Sequence, residues 1–279
     1  MHDYIAQNRD KVEPFLDLDI LKDVLRRRKP TRYFWASMTD MFLGPEFYPW
    51  LWLDNLFATM ALTPWHRHMV LTKHPDHMQS YMTLERWARY IYPLMTVLGA
   101  EMSQRWRNQW ITAADTRRRQ KLAAWPLDNV ELGVSVENQD WAWRLYLLGR
   151  TAAETSFCSY EPALGPVDFT AIECPAFQGY TFNALNGHLY DERRRVVDRL
   201  LPLDQIIIGG ESGPGARPFD LRWPRQVMDQ CKPYGTKIFM KQVGTNPIGY
   251  NGTAPYTINS HKGNDMQEWP EDLRRREFV

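Results

Sequence analysis

Short apolar runs alternate with stretches of helical spacing along the chain. Six runs read as strands: Tyr33–Ser37 (YFWAS), His68–Lys73 (HMVLTK), Val130–Val136 (VELGVSV), Thr155–Tyr160 (TSFCSY), Gln205–Glu211 (QIIIGGE) and Thr236–Lys241 (TKIFMK). Several are apolar along most of their length, as expected when helices cover a parallel sheet. Helical spacing predicts Phe15–Arg28, where Leu18, Leu21 and Leu25 form a stripe, and the aromatic-rich Phe47–Leu62. It also predicts His74–Leu122, broken near Pro93, then Gln139–Leu148, Tyr190–Leu201 and Leu221–Tyr234. The last of these accommodates Pro224 in its first turn. Strand alternating with helix predicts an α/β fold with right-handed crossovers. Residues 244–264, rich in Gly and Asn, read as a loop, and residues 1–279 as a single domain.

The residues after each predicted strand carry the chemistry. Ser37, Thr39 and Asp40 follow the first run, and Thr72 and Lys73 end the second. Glu137 and Asn138, Glu161, Glu211 and Ser212, and Lys241 and Gln242 follow in turn. Parallel strands of a (βα) barrel bring all their C-terminal ends to one rim, so these side chains converge although far apart in sequence. An open doubly-wound sheet would gather ligands only at its switch point. Six polar strand ends therefore favour a partial or incomplete TIM-like barrel, against the plain alternative that loops are polar anyway. Lys73, Glu137, Glu161 and Lys241 are the candidate catalytic groups.

One loop is more specific. Residues 209–218, GGESGPGARP, follow a strand directly. Gly209 and Gly210 would let a ligand approach the backbone, while Gly213 and Gly215 permit positive φ and an anion nest of N–H groups. Glu211 can accept hydrogen bonds from an amine or hydroxyl, and Arg217 can pair with a carboxylate or phosphate. Gly209, Gly210, Glu211, Ser212 and Arg217, with Asp40 and Gln242, are the candidate cofactor-binding set. The GK[ST] end of a Walker loop is missing, and the spacing is not GxGxxG. The plainer reading is a Gly/Pro turn closed by an Arg–Glu pair.

Composition narrows the class. With 44% hydrophobic and 24% charged residues, the 279-residue chain has ordinary globular proportions. A net charge of +1 gives no support to a polyanion-coating protein, although four arginine triplets (Arg26–Arg28, Arg117–Arg119, Arg193–Arg195, Arg274–Arg276) keep a nucleic-acid face open if they share one side. Three scattered cysteines, Cys158, Cys174 and Cys231, suit a reducing compartment better than a disulfide framework. No pair has CxxC spacing. His66 with His68, and His74 with His77, lack a completing ligand set, so they read as surface or helix-capping residues rather than a metal site. The N-terminus is no signal peptide, and no apolar run reaches the ~18 residues of a membrane span. The expected location is cytoplasmic.

Several stretches taken together resemble the phage protein family called gp-thirty-seven/gp-sixty-eight, which looks like a radical-SAM enzyme family. They are SMTDMF (37–42), VLTKHPDHM (70–78), WPLDNVELGVSVENQ (125–139), SYEPALGPVD (159–168), IIIGGESGPGARP (206–218), DQCKPYGTKIFMKQVG (229–244) and KGNDMQEWPEDLRRREF (262–278). The resemblance covers most of the chain apart from a helical insertion around 79–124 and a segment near 170–200. It implies a radical-SAM-like partial barrel in a phage or prophage-encoded protein of the host cytoplasm. It further implies S-adenosylmethionine as ligand and an unknown substrate related to a nucleotide or nucleic acid.

The resemblance also implies a four-iron four-sulfur cluster for the family, held by a WNPxTGC and CxxCYA segment. No cysteine precedes Cys158 here. The expectation is that the family's first strand and cluster loop are missing, through truncation, an internal start or a split gene, and that this chain binds no cluster alone. A partner chain would then supply the missing strand beside Tyr33–Ser37. Two other classes remain at this point: a non-catalytic nucleotide- or nucleic-acid-binding or partner protein on the same barrel, and a hydrolase using Lys73 with Glu137 and Glu161.

Overall fold

The computed structural model describes residues 14–36, 39–91, 125–249 and 254–279. The first helix, α1 (Leu18–Arg26), starts where the Asp17 carboxylate accepts the N–H groups of Asp19 and Ile20. It buries Leu21, Val24 and Leu25. Strand β1 (Arg32–Trp35), α2 (Trp50–Leu62), β2 (Arg67–Thr72) and α3 (Pro75–Tyr81, with Pro75 in its first turn) follow. Then come β3 (Val130–Ser135), α4 (Trp143–Gly149) and β4 (Thr155–Tyr160). A small excursion, β5 (Ile172–Glu173), β6 (Thr181–Asn183), β7 (His188–Tyr190) and β8 (Val196–Arg199), precedes β9 (Gln205–Gly209). The chain continues through β10 (Phe219–Asp220), α5 (Arg222–Cys231), β11 (Lys237–Gln242) and β12 (Pro247–Ile248).

Strands β1, β2, β3, β4, β9 and β11 lie side by side in chain order, and every neighbouring pair is parallel. The result is a curled half-barrel, a mixed α/β fold consistent with a partial (βα) barrel. One face of the sheet packs on the helices. Val70, Leu132, Val134, Cys158, Ile206, Ile208 and Met240 join Phe57 of α2, Leu145 of α4 and Val227 of α5 in one core. The other face is concave. Gly133 of β3 lies on it because the ring of Phe157 occupies the place a Cβ would need.

Two predicted features change. Tyr190–Leu201 is a hairpin of β7 and β8, not a helix. Asp191 sets the turn by accepting the N–H groups of Arg193 and Arg195, with Arg194 at a φ of 59°. His66 and His68 are buried, not on the surface. His68 Nδ1 accepts from Trp35 Nε1 and its Nε2 meets Thr63 Oγ1, each at 3.0 Å. His66 Nδ1 accepts the Thr31 N–H at 3.1 Å. The two imidazoles therefore tie β1 to the layer beneath it. Of the predicted helix His74–Leu122, α3 and the turns Leu84–Arg86 and Trp87–Ile91 are seen. Residues 92–124, with Arg117–Arg119, lie outside the described residues, as do Ser37 and Met38.

The sheet ends differ. The C-terminal segment covers the outer edge of β11: Met240 N–H donates to the Arg275 carbonyl and Glu277 N–H to that of Ile238. Phe278 then packs on Phe239, and the Arg32 guanidinium lies 5.3 Å from its ring centre. Among the described residues no strand pairs with the outer edge of β1. Below the cavity, Arg32 and Arg67 each bond the buried Glu131 carboxylate at 3.0 Å.

Burial pushes the His68 imidazole down to about 3, with the neighbouring His66 adding to the effect. The unfolded chain then binds a proton that the folded chain refuses. The contribution to stability is complete above about pH 6.5 and is lost as the pH falls toward 3. Urea unfolding should show roughly 2 kcal/mol less stability at about pH 5 than at about pH 7.5 from this residue. His68→Gln should flatten that slope, and an unchanged slope would contradict the assignment.

Candidate functional site

The strand ends of β1 to β4 and β11 surround a cavity of about 360 Å³ on the concave face. Phe34 and Leu71 form apolar wall, Ser135 and Ser159 offer hydroxyls, and Lys73 and Lys241 supply charge. Its size lies within the roughly 300–1,000 Å³ usual for small-molecule sites.

Each lysine is anchored by a carboxylate that is more buried than itself. Lys73 Nζ lies 2.6 Å from Glu137 Oε1, with the two side chains 55% and 9% exposed. Arg144 Nη1, from α4, bonds the other Glu137 oxygen at 3.1 Å. Lys241 Nζ lies 3.3 Å from Glu161 Oε1, with exposures of 56% and 16%. Ser159 Oγ donates to Glu161 Oε2 at 3.3 Å. Burial raises the Glu161 carboxyl above its ordinary range, opposed by Lys241 and Ser159. The carboxylates hold the ammonium groups and leave them facing the opening, an arrangement suited to an anionic ligand.

Of the predicted site residues, Asp40, Lys73, Glu161 and Lys241 line this one cavity, and Glu137 stands behind Lys73. Asp40 serves the protein itself. Its Oδ1 accepts from Phe42 N–H and Thr72 Oγ1, and its Oδ2 from Lys73 N–H at 2.7 Å. It locks the loop after β1 to the end of β2. Gln242 donates its side-chain N–H to the Gly210 carbonyl at 2.9 Å, pinning one loop to the next.

The glycine loop is not part of the cavity wall. Gly209 does not clear a path for a ligand, because Glu161 fills the place of its missing Cβ. At Gly210 the Val243 carbonyl fills it. Glu211 and Arg217 close the loop on itself: Arg217 Nε bonds Glu211 Oε2 at 2.8 Å and Nη2 bonds Oε1 at 3.0 Å. Those bonds hold the Glu211 carboxyl down to about 2. Gly213 and Gly215 do take positive φ, 106° and 76°, while Ser212 is exposed.

The sequence reading missed Ser135, Ser159 and Arg144. The first two were accessible through period-two spacing: Gly133, Ser135 and Glu137 point one way from β3, as do Phe157, Ser159 and Glu161 from β4. Arg144 sits in a helix and carries no such mark.

A family model described as "Protein of unknown function (DUF5131)" matches residues 4–270. The chain belongs to this family. No curated protein and no solved structure matches the chain.

The cysteines do not suit an iron–sulfur cluster. All three are buried, and burial pushes the Cys174 thiol up to about 11 and that of Cys231 up to about 12. Cluster ligands must be thiolates gathered together. Among the described residues no group of three or more His, Cys, Asp or Glu is placed to hold a metal ion. No helix among them is long and apolar enough to cross a membrane.

Gly209→Ala would force its Cβ onto the Glu161 carboxylate. The expected cost is roughly 1–3 kcal/mol of stability, as for other overpacked sites. Adding Glu161→Ala should return much of that loss, since the two changes meet at one point. Thermal unfolding of both variants checks this, and additive losses would contradict it.

Proposed function

We propose that the chain is a radical-SAM-like partial barrel that binds a small carboxylate- or phosphate-bearing ligand in the concave cavity. The observation that carries the reading is the pair of half-exposed lysines in one cavity, each backed by a more buried carboxylate. Such ammonium groups make charge-assisted bonds to carboxylate or phosphate oxygens. Ser135 adds a hydroxyl donor to the same wall, and Ser159, whose proton goes to Glu161, offers an acceptor oxygen.

The radical-SAM part rests on the motif resemblance and on a parallel sheet whose polar strand ends share one rim. S-adenosylmethionine suits the donor set through its carboxylate, which Lys73 and Lys241 would hold. When bound it supplies a reactive sulfonium centre. The cluster does not suit this chain's buried, protonated cysteines. The residues present bind and orient the ligand. A nucleotide carries the same anionic chemistry in its phosphates, so both belong in the test.

Calorimetry with S-adenosylmethionine and with nucleotides separates the outcomes. Lys73→Ala and Lys241→Ala should each weaken binding roughly 10- to 100-fold, as expected for loss of a charge-assisted bond worth ~1.5–3 kcal/mol. Arg217→Ala, whose partner is Glu211, should weaken it far less. No binding of either class, or binding untouched in both lysine variants, would overturn the reading.

A further inference from the structure

We propose that Glu161 takes up a proton when an anionic ligand engages Lys241, so that the occupied cavity holds a neutral carboxylic acid beside the ligand. This rests on the cavity being the ligand site.

The inference comes from an asymmetry between the two lysine–carboxylate pairs. Glu137 is bonded by Lys73 and also by the buried Arg144, which is fixed by the Ser135 carbonyl at 2.9 Å. A ligand that draws Lys73 outward leaves Glu137 with a cation. Among the described residues Glu161 has Lys241 as its ion-pair partner and the Ser159 hydroxyl as its other donor. A ligand that draws Lys241 outward leaves a buried carboxylate with one neutral, 3.3 Å hydrogen bond. A buried charge without its partner is costly, and protonation relieves it.

Among the described residues, Lys241 is the cation that acts on Glu161. From β9, Gly209 is a residue against which the carboxyl packs. On β4 itself Cys158 is buried, and burial pushes its thiol up, with the charges of Glu137, Cys231 and Glu161 adding to the effect. Asp40 lines the same cavity as a further acid, and Lys73 is committed to Glu137. Burial already raises the Glu161 carboxyl with Lys241 in place.

The proton balance is simple. One proton leaves solvent and binds a Glu161 oxygen, Lys241 stays charged and exchanges its bond to Glu161 for one to the ligand, and no other covalent bond changes. The occupied state binds more protons than the empty one, so affinity falls as pH rises through the titration of Glu161 in the complex. The protonated carboxyl is then a donor, able to bond an acceptor atom of the ligand.

Two measurements test this, the first without any ligand. Carbon-13 NMR of labelled glutamate carboxyls follows Glu161, assigned by its loss in Glu161→Gln. Lys241→Met should raise its titration by more than one pH unit, and Lys73→Met by clearly less. A Glu161 that stays in the ordinary carboxylate range in Lys241→Met overturns the proposal. The second is calorimetry with S-adenosylmethionine in buffers of different ionisation enthalpy. Binding should take up a substantial fraction of one proton in wild type and much less in Glu161→Gln. Binding without proton uptake overturns the proposal and leaves the ligand site standing. Absence of binding overturns the ligand reading, and the NMR titration still decides the behaviour of Glu161.

Discussion

Six parallel strands laid side by side in chain order commit alternate residues to opposite faces of one curled sheet. The helix-covered face takes Val70, Leu132, Val134, Ile206, Ile208 and Met240 and supplies the core. On the concave face the side chains either fill the space themselves or line the opening. Low on that face Glu131 is covered by Arg32 and Arg67, and in the middle Phe157 lies over Gly133. Near the strand ends the filling stops, and there the cavity opens. Its place follows from sheet geometry together with side-chain size.

The charged residues at the rim obey the same logic. An exposed Lys–Glu pair is worth little, because water and salt compete with it. Here each carboxylate is far more buried than its lysine, so the pair is held from one side and open on the other. That difference turns two lysines into fixed positive positions. It also makes each carboxylate depend on its cation, and Glu161 more than Glu137, because Arg144 backs only the latter. The loop of Glu211 and Arg217 has already spent its charges on each other.

Much of this was legible in the chain. All six long strands and the helices α1, α2, α4 and α5 lie where periodicity puts them. The convergence of Asp40, Lys73, Glu161 and Lys241 follows from parallel strand ends alone. The misreadings have physical causes. The segment Tyr190–Leu201 has the spacing of a helix, yet Asp191 captures the N–H groups of Arg193 and Arg195 and turns the chain back. Gly209 and Gly210 resemble a ligand loop because glycine marks any close approach, and here the approaching groups are Glu161 and the Val243 carbonyl. His66 and His68 lack a metal set, but no local pattern shows that Trp35, Thr63 and Thr31 will satisfy them in the core.

The central claim is that an anionic ligand meets Lys73 and Lys241 together in the concave cavity. Lysine acetylation read by mass spectrometry, with and without S-adenosylmethionine or a nucleotide, tests it directly. The account predicts that ligand slows modification of Lys73 and Lys241 together, while the exposed Lys232 and Lys262 react at unchanged rates. Protection confined to other lysines, or none at a saturating ligand concentration, would contradict it.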